Sequence, residues 1–224
     1  MDAYMTNIAT HFGWALPAHE RHLQVWMANP KNLGFKLNGR QAYQGKKQVK
    51  ALSYVKQFRT ALDCGGHCAL WSFNLAHQFT QVHAFEPTPL HQKCFALNTA
   101  GLTNIELHPV ALGKAPGSVS MNTEPGSSGN TTVGGKGDIP MITLDSLGLV
   151  DVDFVKIDVE GFEANIILGG EELFKTWHPV TIVEQKRQMS EAFGIPPKEA
   201  VNILVKWGYR EVAELSGDHV LVWP

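Results

Sequence analysis

Cysteine is scarce in this 224-residue chain, which has only Cys64, Cys68 and Cys94. An odd, small number in a chain of this length does not build a disulfide framework, and reduced thiols in a cytoplasmic protein are the simplest account. An excess of one charge is missing too. Nineteen Lys and Arg against 21 Asp and Glu leave a formal net charge of −2. That argues against a nucleic-acid binder working by phosphate neutralisation. No run of about 18 apolar residues occurs, so no membrane span is expected. Met1-Asp2-Ala3-Tyr4-Met5-Thr6 lacks the basic stretch and apolar run of a secretory leader. There is no period of solenoid length. Disorder is equally unsupported, because 44% of the residues are hydrophobic and 18% charged, enough apolar material for a sizeable core.

Two textures divide the chain. Residues 1–57 read as an N-terminal helical extension of the same domain, a candidate substrate cover. Leu16-Pro17-Ala18-His19-Glu20 opens a helix that Asn29-Pro30 stops, Asn38-Gly39 marks a turn, and a second helix is expected from Gln41 to Gln57. Its Lys46, Lys47, Lys50 and Lys56 are either a solvated face or a surface for an acidic substrate. Residues 58–224 alternate short apolar runs with helix-like segments. Strands are expected at Arg59–Asp63, Gln81–Phe85, Ile105–Ala111, Val152–Asp158 and Pro179–Gln185, with helices near 69–78, 89–99, 162–174 and 197–207. Tyr209–Leu215 and His219–Trp223, joined by Ser216-Gly217-Asp218, read as a terminal hairpin. The sum is an α/β fold: a seven-stranded, mostly parallel sheet whose last strand is antiparallel, with helices on both faces. Residues 122–138, dominated by Gly, Ser, Thr and Asn, read as a mobile substrate or cofactor loop.

The chemistry gathers at the expected strand tips. Asp63-Cys64-Gly65-Gly66-His67-Cys68-Ala69 closes the first strand, and its glycines let a ligand approach backbone N–H groups. Glu86, in Ala84-Phe85-Glu86-Pro87, stands where a carboxylate grips a ribose diol. The glycine pattern of a dinucleotide fingerprint is broken, and Asp63 opens the loop instead. A carboxylate there suits an ammonium and a sulfonium rather than a pyrophosphate, which points to S-adenosylmethionine over NAD. Phe154-Val155-Lys156-Ile157-Asp158-Val159-Glu160-Gly161-Phe162-Glu163 puts two carboxylates at the fourth strand tip, on one side if the strand continues. Asp158 and Glu160 are the candidate catalytic bases for a hydroxyl acceptor; the alternative is that one of them caps the following helix. Asp158, Glu160 or Glu184 would also suit Mg²⁺, but no matched ligand spacing is visible and no metal is expected. Cys64 and Cys68 lack zinc-type partners.

These runs, with His108-Pro109-Val110-Ala111-Leu112-Gly113, Ser128-Gly129-Asn130-Thr131, Thr143-Leu144-Asp145-Ser146-Leu147 and Val183-Glu184-Gln185-Lys186, together resemble the FkbM family of S-adenosylmethionine-dependent methyltransferases over residues 58–224. The chain is most similar in character to short, single-domain members of phage and marine bacteria, so its expected compartment is the cytoplasm, or a host's cytoplasm if a phage encodes it. The resemblance implies a Rossmann-like class I fold and methyl transfer to oxygen, with S-adenosylhomocysteine as product. It implies cofactor contacts from Asp63, Gly65, Gly66, His67, Glu86, Val110, Ala111 and Asp158. The acceptor, a sugar, glycan or other small molecule, would meet Ser128, Asn130, Thr131, Glu184 and Lys186. Departures fall at Gly66, His67 and Ala69, the last where the family commonly has Gly. A methyl at Ala69 that narrows the pocket would favour a degenerate binder without turnover, and Glu86 alone would also suit an NAD-linked oxidoreductase. The Asp/Asn-Pro-Pro-aromatic run of base N-methylation is missing, and Cys94 lacks the preceding Pro of base C5 methylation. Nucleic acid is therefore not the expected partner; the oligomeric state is not legible.

Overall fold

A computed structural model describes residues 7–124, 126–186 and 189–224. Residues 1–6 of the N-terminal extension and Pro125 of the Gly/Ser-rich stretch lie outside the described residues. What is described of the extension is helical only in part: both expected helices are present but shortened, and two short hairpins accompany them. It consists of β1 (Ile8–His11), β2 (Trp14–Pro17), α1 (His22–Ala28), β3 (Lys36–Leu37), β4 (Arg40–Gln41) and α2 (Gly45–Leu52). The turns explain this. Phe12-Gly13 and Asn38-Gly39 each place two successive residues at positive φ, at 52° and 83° and at 50° and 81°. Such two-residue turns match the twist of antiparallel strands. Leu16-Pro17 accordingly ends a strand instead of opening a helix.

The expected alternation follows as β5 (Thr60–Cys64), α3 (Ser72–Ala76), β6 (Gln81–Phe85), α4 (Pro89–Asn98) and β7 (Ile105–His108). Next come β8 (Ala111–Leu112), β9 (Gly117–Val119), β10 (Met121–Glu124), β11 (Ser127–Val133) and β12 (Ile139–Ile142). The chain closes with β13 (Val152–Ile157), α5 (Glu163–Leu168), α6 (Glu171–Trp177), β14 (Val180–Glu184), α7 (Glu199–Lys206), β15 (Arg210–Leu215) and β16 (Asp218–Val222). Three expectations need correction. The Gly/Ser-rich stretch is largely the antiparallel pair β10–β11 rather than a structureless loop; backbone pairing holds it, and its polar residues carry no apolar alternation to announce it. The expected strand Ile105–Ala111 is interrupted, since Val110 N–H turns back to His108 O and Ala111 pairs with β12. The single helix expected at 162–174 is two helices broken at Gly169-Gly170, a pair of low helix propensity whose first member packs so close to the Gly113 carbonyl oxygen that a Cβ would stand 2.1 Å from it.

The main sheet has seven strands in the order β15-β16-β14-β13-β5-β6-β7. β14, β13, β5, β6 and β7 run parallel, and β16 lies antiparallel between β14 and β15. Side chains alternate between two cores. Leu62, Val155, Val183 and Leu221 pack with Ile166 and Leu173 of α5 and α6 and with Leu204 of α7. Their sequence neighbours Ala61, Phe154, Ile182 and Val220 pack on the opposite face with Leu52 of α2 and Leu75 of α3. A third cluster joins Trp14, Leu16, Leu23 and Met27 to Leu70, Phe73 and Cys94, so the N-terminal hairpin and helix share the domain's core. Asn98 bolts that junction, accepting from Ala15 N–H and donating to Ala15 O and Cys68 O, each at 2.8 Å.

Strand order reverses between β5 and β13, so the crevice at their carboxyl ends is the switch point where open α/β sheets bind ligands. Among the described residues no helix is long and apolar enough to cross a membrane. Phe154 is fully buried at the centre of the sheet. Phe154→Ala is expected to remove about 3–5 kcal/mol of stability, measured by urea unfolding.

Candidate active site

β5 ends at Cys64 and the chain turns at once. Gly65 adopts φ 86°, and a Cβ there would lie 2.0 Å from the Asp158 carbonyl oxygen. The tips of β5 and β13 thus meet backbone to backbone, which only glycine permits. Gly65 and Gly66 N–H both donate to Phe85 O, at 3.1 and 2.9 Å, tying the loop to the tip of β6. Lys156 reaches beneath it: Nζ donates to Gly65 O at 2.7 Å and stands 3.0 Å from Asp63 Oδ1. Fully buried Asp63 also accepts the Ser72 hydroxyl at 2.6 Å. Burial works against the Lys156 charge, but Asp63 and Asp158 outweigh it and hold the ammonium above its ordinary value.

Glu86 follows β6 and is almost enclosed. Its Oε2 accepts His67 N–H at 2.9 Å; its Oε1 accepts Thr88 N–H at 2.8 Å and lies 3.2 Å from His91 Nδ1. Burial opposes this charge too, yet His91 and the Thr88 N–H hold the carboxyl down at about 2. His67 is pushed down to about 3 by burial and by His91, so its ring is neutral near pH 7. That ring nitrogen, Nε2, lies 2.8 Å from Ser128 Oγ. Ser128 in turn is gripped by buried Glu20, through its hydroxyl and through its N–H at 2.6 Å. Arg21 N–H also donates to Gly126 O at 2.9 Å. The β10–β11 hairpin is thereby fastened over the Gly65–His67 loop by the segment that opens α1.

Beyond β13, Asp158 and Glu160 do come together, but not by strand alternation. β13 ends at Ile157, and Glu160 and Gly161 take φ 58° and 104°. This left-handed turn gathers carboxylate oxygens of Asp158, Glu160 and Glu184 within 4.8 Å of one another. Lys186 Nζ lies 2.9 Å from Glu184 Oε1 and 3.7 Å from Glu160 Oε1. Crowding spreads their proton affinities. Burial and then Asp158 push Glu184 up to about 10 and Glu160 up to about 7. Asp158 sits below its ordinary value: burial opposes its charge, but Lys156 and a hydrogen bond from Glu184 prevail. Neither Asp158 nor Glu160 caps α5. No side chain caps α5; Glu163 instead accepts Gly161 N–H at 2.8 Å and Val159 N–H at 3.4 Å, which pins the turn before the helix. Glu163 was not singled out from the sequence, although an acid in the first turn of a helix is a recognisable signal.

Two clefts meet at this turn. One spans about 590 Å³, open solvent included, and is lined by Gly65, Glu86, Val110 and Ala111, by apolar Phe85, Leu112 and Ile166, and by Ser128 and Thr131. The other spans about 600 Å³, open solvent included, and is lined by Asp63, Gly66, Asn130, Lys156, Glu184 and Lys186, together with Tyr43 and Trp71. Gly65, His67, Asp158 and Glu160 border both. Each residue selected from the sequence therefore lies on one cleft or the other. Sequence reasoning passed over Glu20, His91 and Tyr43, whose partners are remote in the chain or lack a motif.

Residues 48–211 match the model of the methyltransferase FkbM domain, most of the chain's length. The chain belongs to the FkbM methyltransferase family. As a member it carries a methyltransferase domain of the S-adenosylmethionine-dependent class. A solved structure agrees in fold, and two others show a weaker likeness. A Streptococcus mutans protein crystallised with S-adenosylhomocysteine superposes with a TM-score of 0.51 at 10% identity, covering 80% of this chain and 96% of that one. The FkbM methyltransferase of Methylobacillus flagellatus gives 0.48 at 15% identity over 75% of this chain, which spans only 45% of that protein. The precorrin-6y C5,15-methyltransferase of Geobacter metallireducens gives 0.48 at 16% identity, covering 84% and 92%. Comparison with curated proteins returns no match.

Two outcomes follow from this geometry. Gly65→Ala is expected to lose about 2–3 kcal/mol of stability in chemical denaturation, because the new methyl collides with the Asp158 carbonyl. Glu160 and Glu184 have folded values raised above the ordinary 4.5. Their contribution to stability is thus fully present below about pH 4.5 and lost as pH rises through those values. Relative to the parent chain, Glu184→Gln should gain stability at pH 8 that it does not gain at pH 4, read from urea midpoints at both.

Proposed function

We propose that this FkbM-family chain methylates a hydroxyl oxygen of a sugar, glycan or other small molecule, using S-adenosylmethionine. The observation that carries the reading is the Asp158–Glu160–Glu184 cluster at the junction of two clefts, one suited to the cofactor and the other to an acceptor. The first cleft fits a nucleoside: an apolar wall beside Val110 and Ala111 for the base, and ionised Glu86 for a ribose diol. The Gly65–His67 loop, held from beneath by the buried Asp63–Lys156 pair, takes the amino-acid end, and Asp158 reaches both cleft and cluster. Bound there, S-adenosylmethionine supplies a methyl already activated by cationic sulfur.

The chain's own tasks are then alignment and proton removal. Asp158, held ionised, accepts the hydroxyl proton directly or passes it to Glu160, whose proton affinity lies near neutrality. Asn130, Glu184 and Lys186 of the second cleft orient the acceptor, with Tyr43 beside them, while Ser128 and Thr131 face the cofactor cleft. Lys186 already places a cation 2.9 Å from Glu184, so the cluster's negative charge is offset and no Mg²⁺ is part of this reading. The degenerate-binder alternative rested on Ala69. Its methyl is fully buried against Ala84 and Phe95 and lines neither cleft, so it does not narrow the cofactor space.

Calorimetric titration of S-adenosylmethionine tests the first half. Glu86→Ala is expected to weaken binding at least about tenfold. Labelled methyl transfer to a panel of monosaccharides and glycosides tests the second. Asp158→Asn is expected to retain cofactor binding within a few-fold and to lower kcat by about 10²–10⁴. Absence of binding at millimolar cofactor with the fold intact, or a methyl group found on nitrogen or carbon, would sink the reading.

A further inference from the structure

At the edge of the main sheet, His83 on β6 and Glu106 on β7 are register partners, and His108 stands two residues beyond Glu106 on the same face. His83 Nδ1 lies 3.0 Å from His108 Nε2 and 3.5 Å from Glu106 Oε2, and His108 Nε2 lies 3.8 Å from Glu106 Oε1. We propose that His83, Glu106 and His108 form a binding site for a divalent transition-metal ion of the zinc type. Tetrahedral ligation at about 2.0–2.1 Å sets neighbouring donor atoms about 3.3 Å apart. The 3.0 Å between the two imidazole nitrogens and the 3.5 Å from His83 to Glu106 Oε2 bracket that value, and one donor atom from each of the three residues lies within 4.8 Å of the others, so an ion enters with small side-chain shifts. Two imidazoles and one carboxylate suit zinc, nickel or copper rather than magnesium or calcium, and leave a fourth position to water.

The rings are prepared for this. Both imidazoles are partly buried, and burial holds them below their ordinary value, in the neutral form that ligates. His108 stacks on Phe85 at 4.7 Å and 14°, which fixes its plane. Glu106 is exposed and free to swing its carboxylate onto an ion. The three residues line neither of the two clefts. They are nonetheless coupled to one of them by backbone, since His108 O accepts Glu86 N–H at 3.1 Å and Val110 N–H at 2.9 Å. A bound ion would clip edge strand β7 to β6 directly beneath those residues.

The test is calorimetric titration of Zn²⁺ into the chelator-treated full chain, with Co²⁺ as a visible-absorption probe of four-coordinate geometry. One equivalent should bind in the micromolar range or tighter. Glu106→Gln, a change at an exposed side chain that leaves the fold intact, should weaken binding at least about tenfold, and His83→Gln should abolish the four-coordinate Co²⁺ band. Binding unchanged in both variants would place the ion elsewhere and overturn the proposal, as would no binding at millimolar Zn²⁺.

Discussion

The ammonium of Lys156 is the constraint on which the crevice depends. Lys156 and Asp63 are register partners on β13 and β5, the two strands between which the strand order reverses. Their charges meet inside the sheet at 3.0 Å, and Lys156 uses a proton to hold the Gly65 carbonyl. Removing one partner of such a pair leaves an uncompensated buried charge and costs about 3–5 kcal/mol. With Gly65 O held, the loop runs through φ 86° at Gly65, 46° at His67 and 67° at Ala69. This path turns His67 N–H onto Glu86. A structural ion pair thus presents the residues that a ligand would meet, while itself staying buried.

A second chain of polar contacts ties the roof to that floor. Glu20 holds Ser128, Ser128 meets His67, and His67 N–H meets Glu86. It runs from the segment before α1, through the β10–β11 hairpin, to the carboxylate after β6. Because burial keeps the His67 ring neutral, it adds no charge beside Glu86. The N-terminal segment therefore shapes the crevice, though it contributes no strand to the main sheet.

The parallel sheet and its tips were legible because apolar runs and terminal acids report directly on period and position. Glu86, Asp158 and Glu184 end or directly follow strands, and Asp63 stands one residue before the end of β5, as their flanking residues suggest. The rest depended on contacts far apart in sequence. Asp63 reads as a ligand-facing acid until Lys156, 93 positions away, is seen to pair with it. The Gly169-Gly170 pair marks a helix break by its low propensity, but the Gly113 carbonyl that leaves no room for a Cβ at Gly169 is not recorded in the sequence. The β10–β11 pair is polar on both faces, so neither alternation nor an apolar run reveals it. The N-terminal hairpins turn on Phe12-Gly13 and Asn38-Gly39; the second is a recognisable hairpin signal, whereas Phe at positive φ is not. Asp158 and Glu160 were rightly paired for a reason that does not hold, since a left-handed turn and not strand alternation brings them together.

That turn also differentiates three carboxylates that a sequence presents as equivalent. Asp158 is stabilised in its charged form by Lys156 and Glu184, Glu184 is kept protonated well above neutrality, and Glu160 is left near pH 7. With Lys186 beside them, the cluster carries little net charge when the clefts are empty. In the reading proposed here, methyl transfer consumes one positive charge on sulfur and releases one proton from the acceptor. A site that begins near neutrality and includes a member of intermediate proton affinity takes up that proton without building charge in a buried crevice. This is why the environment of the three acids, rather than their number, fits them to a hydroxyl acceptor.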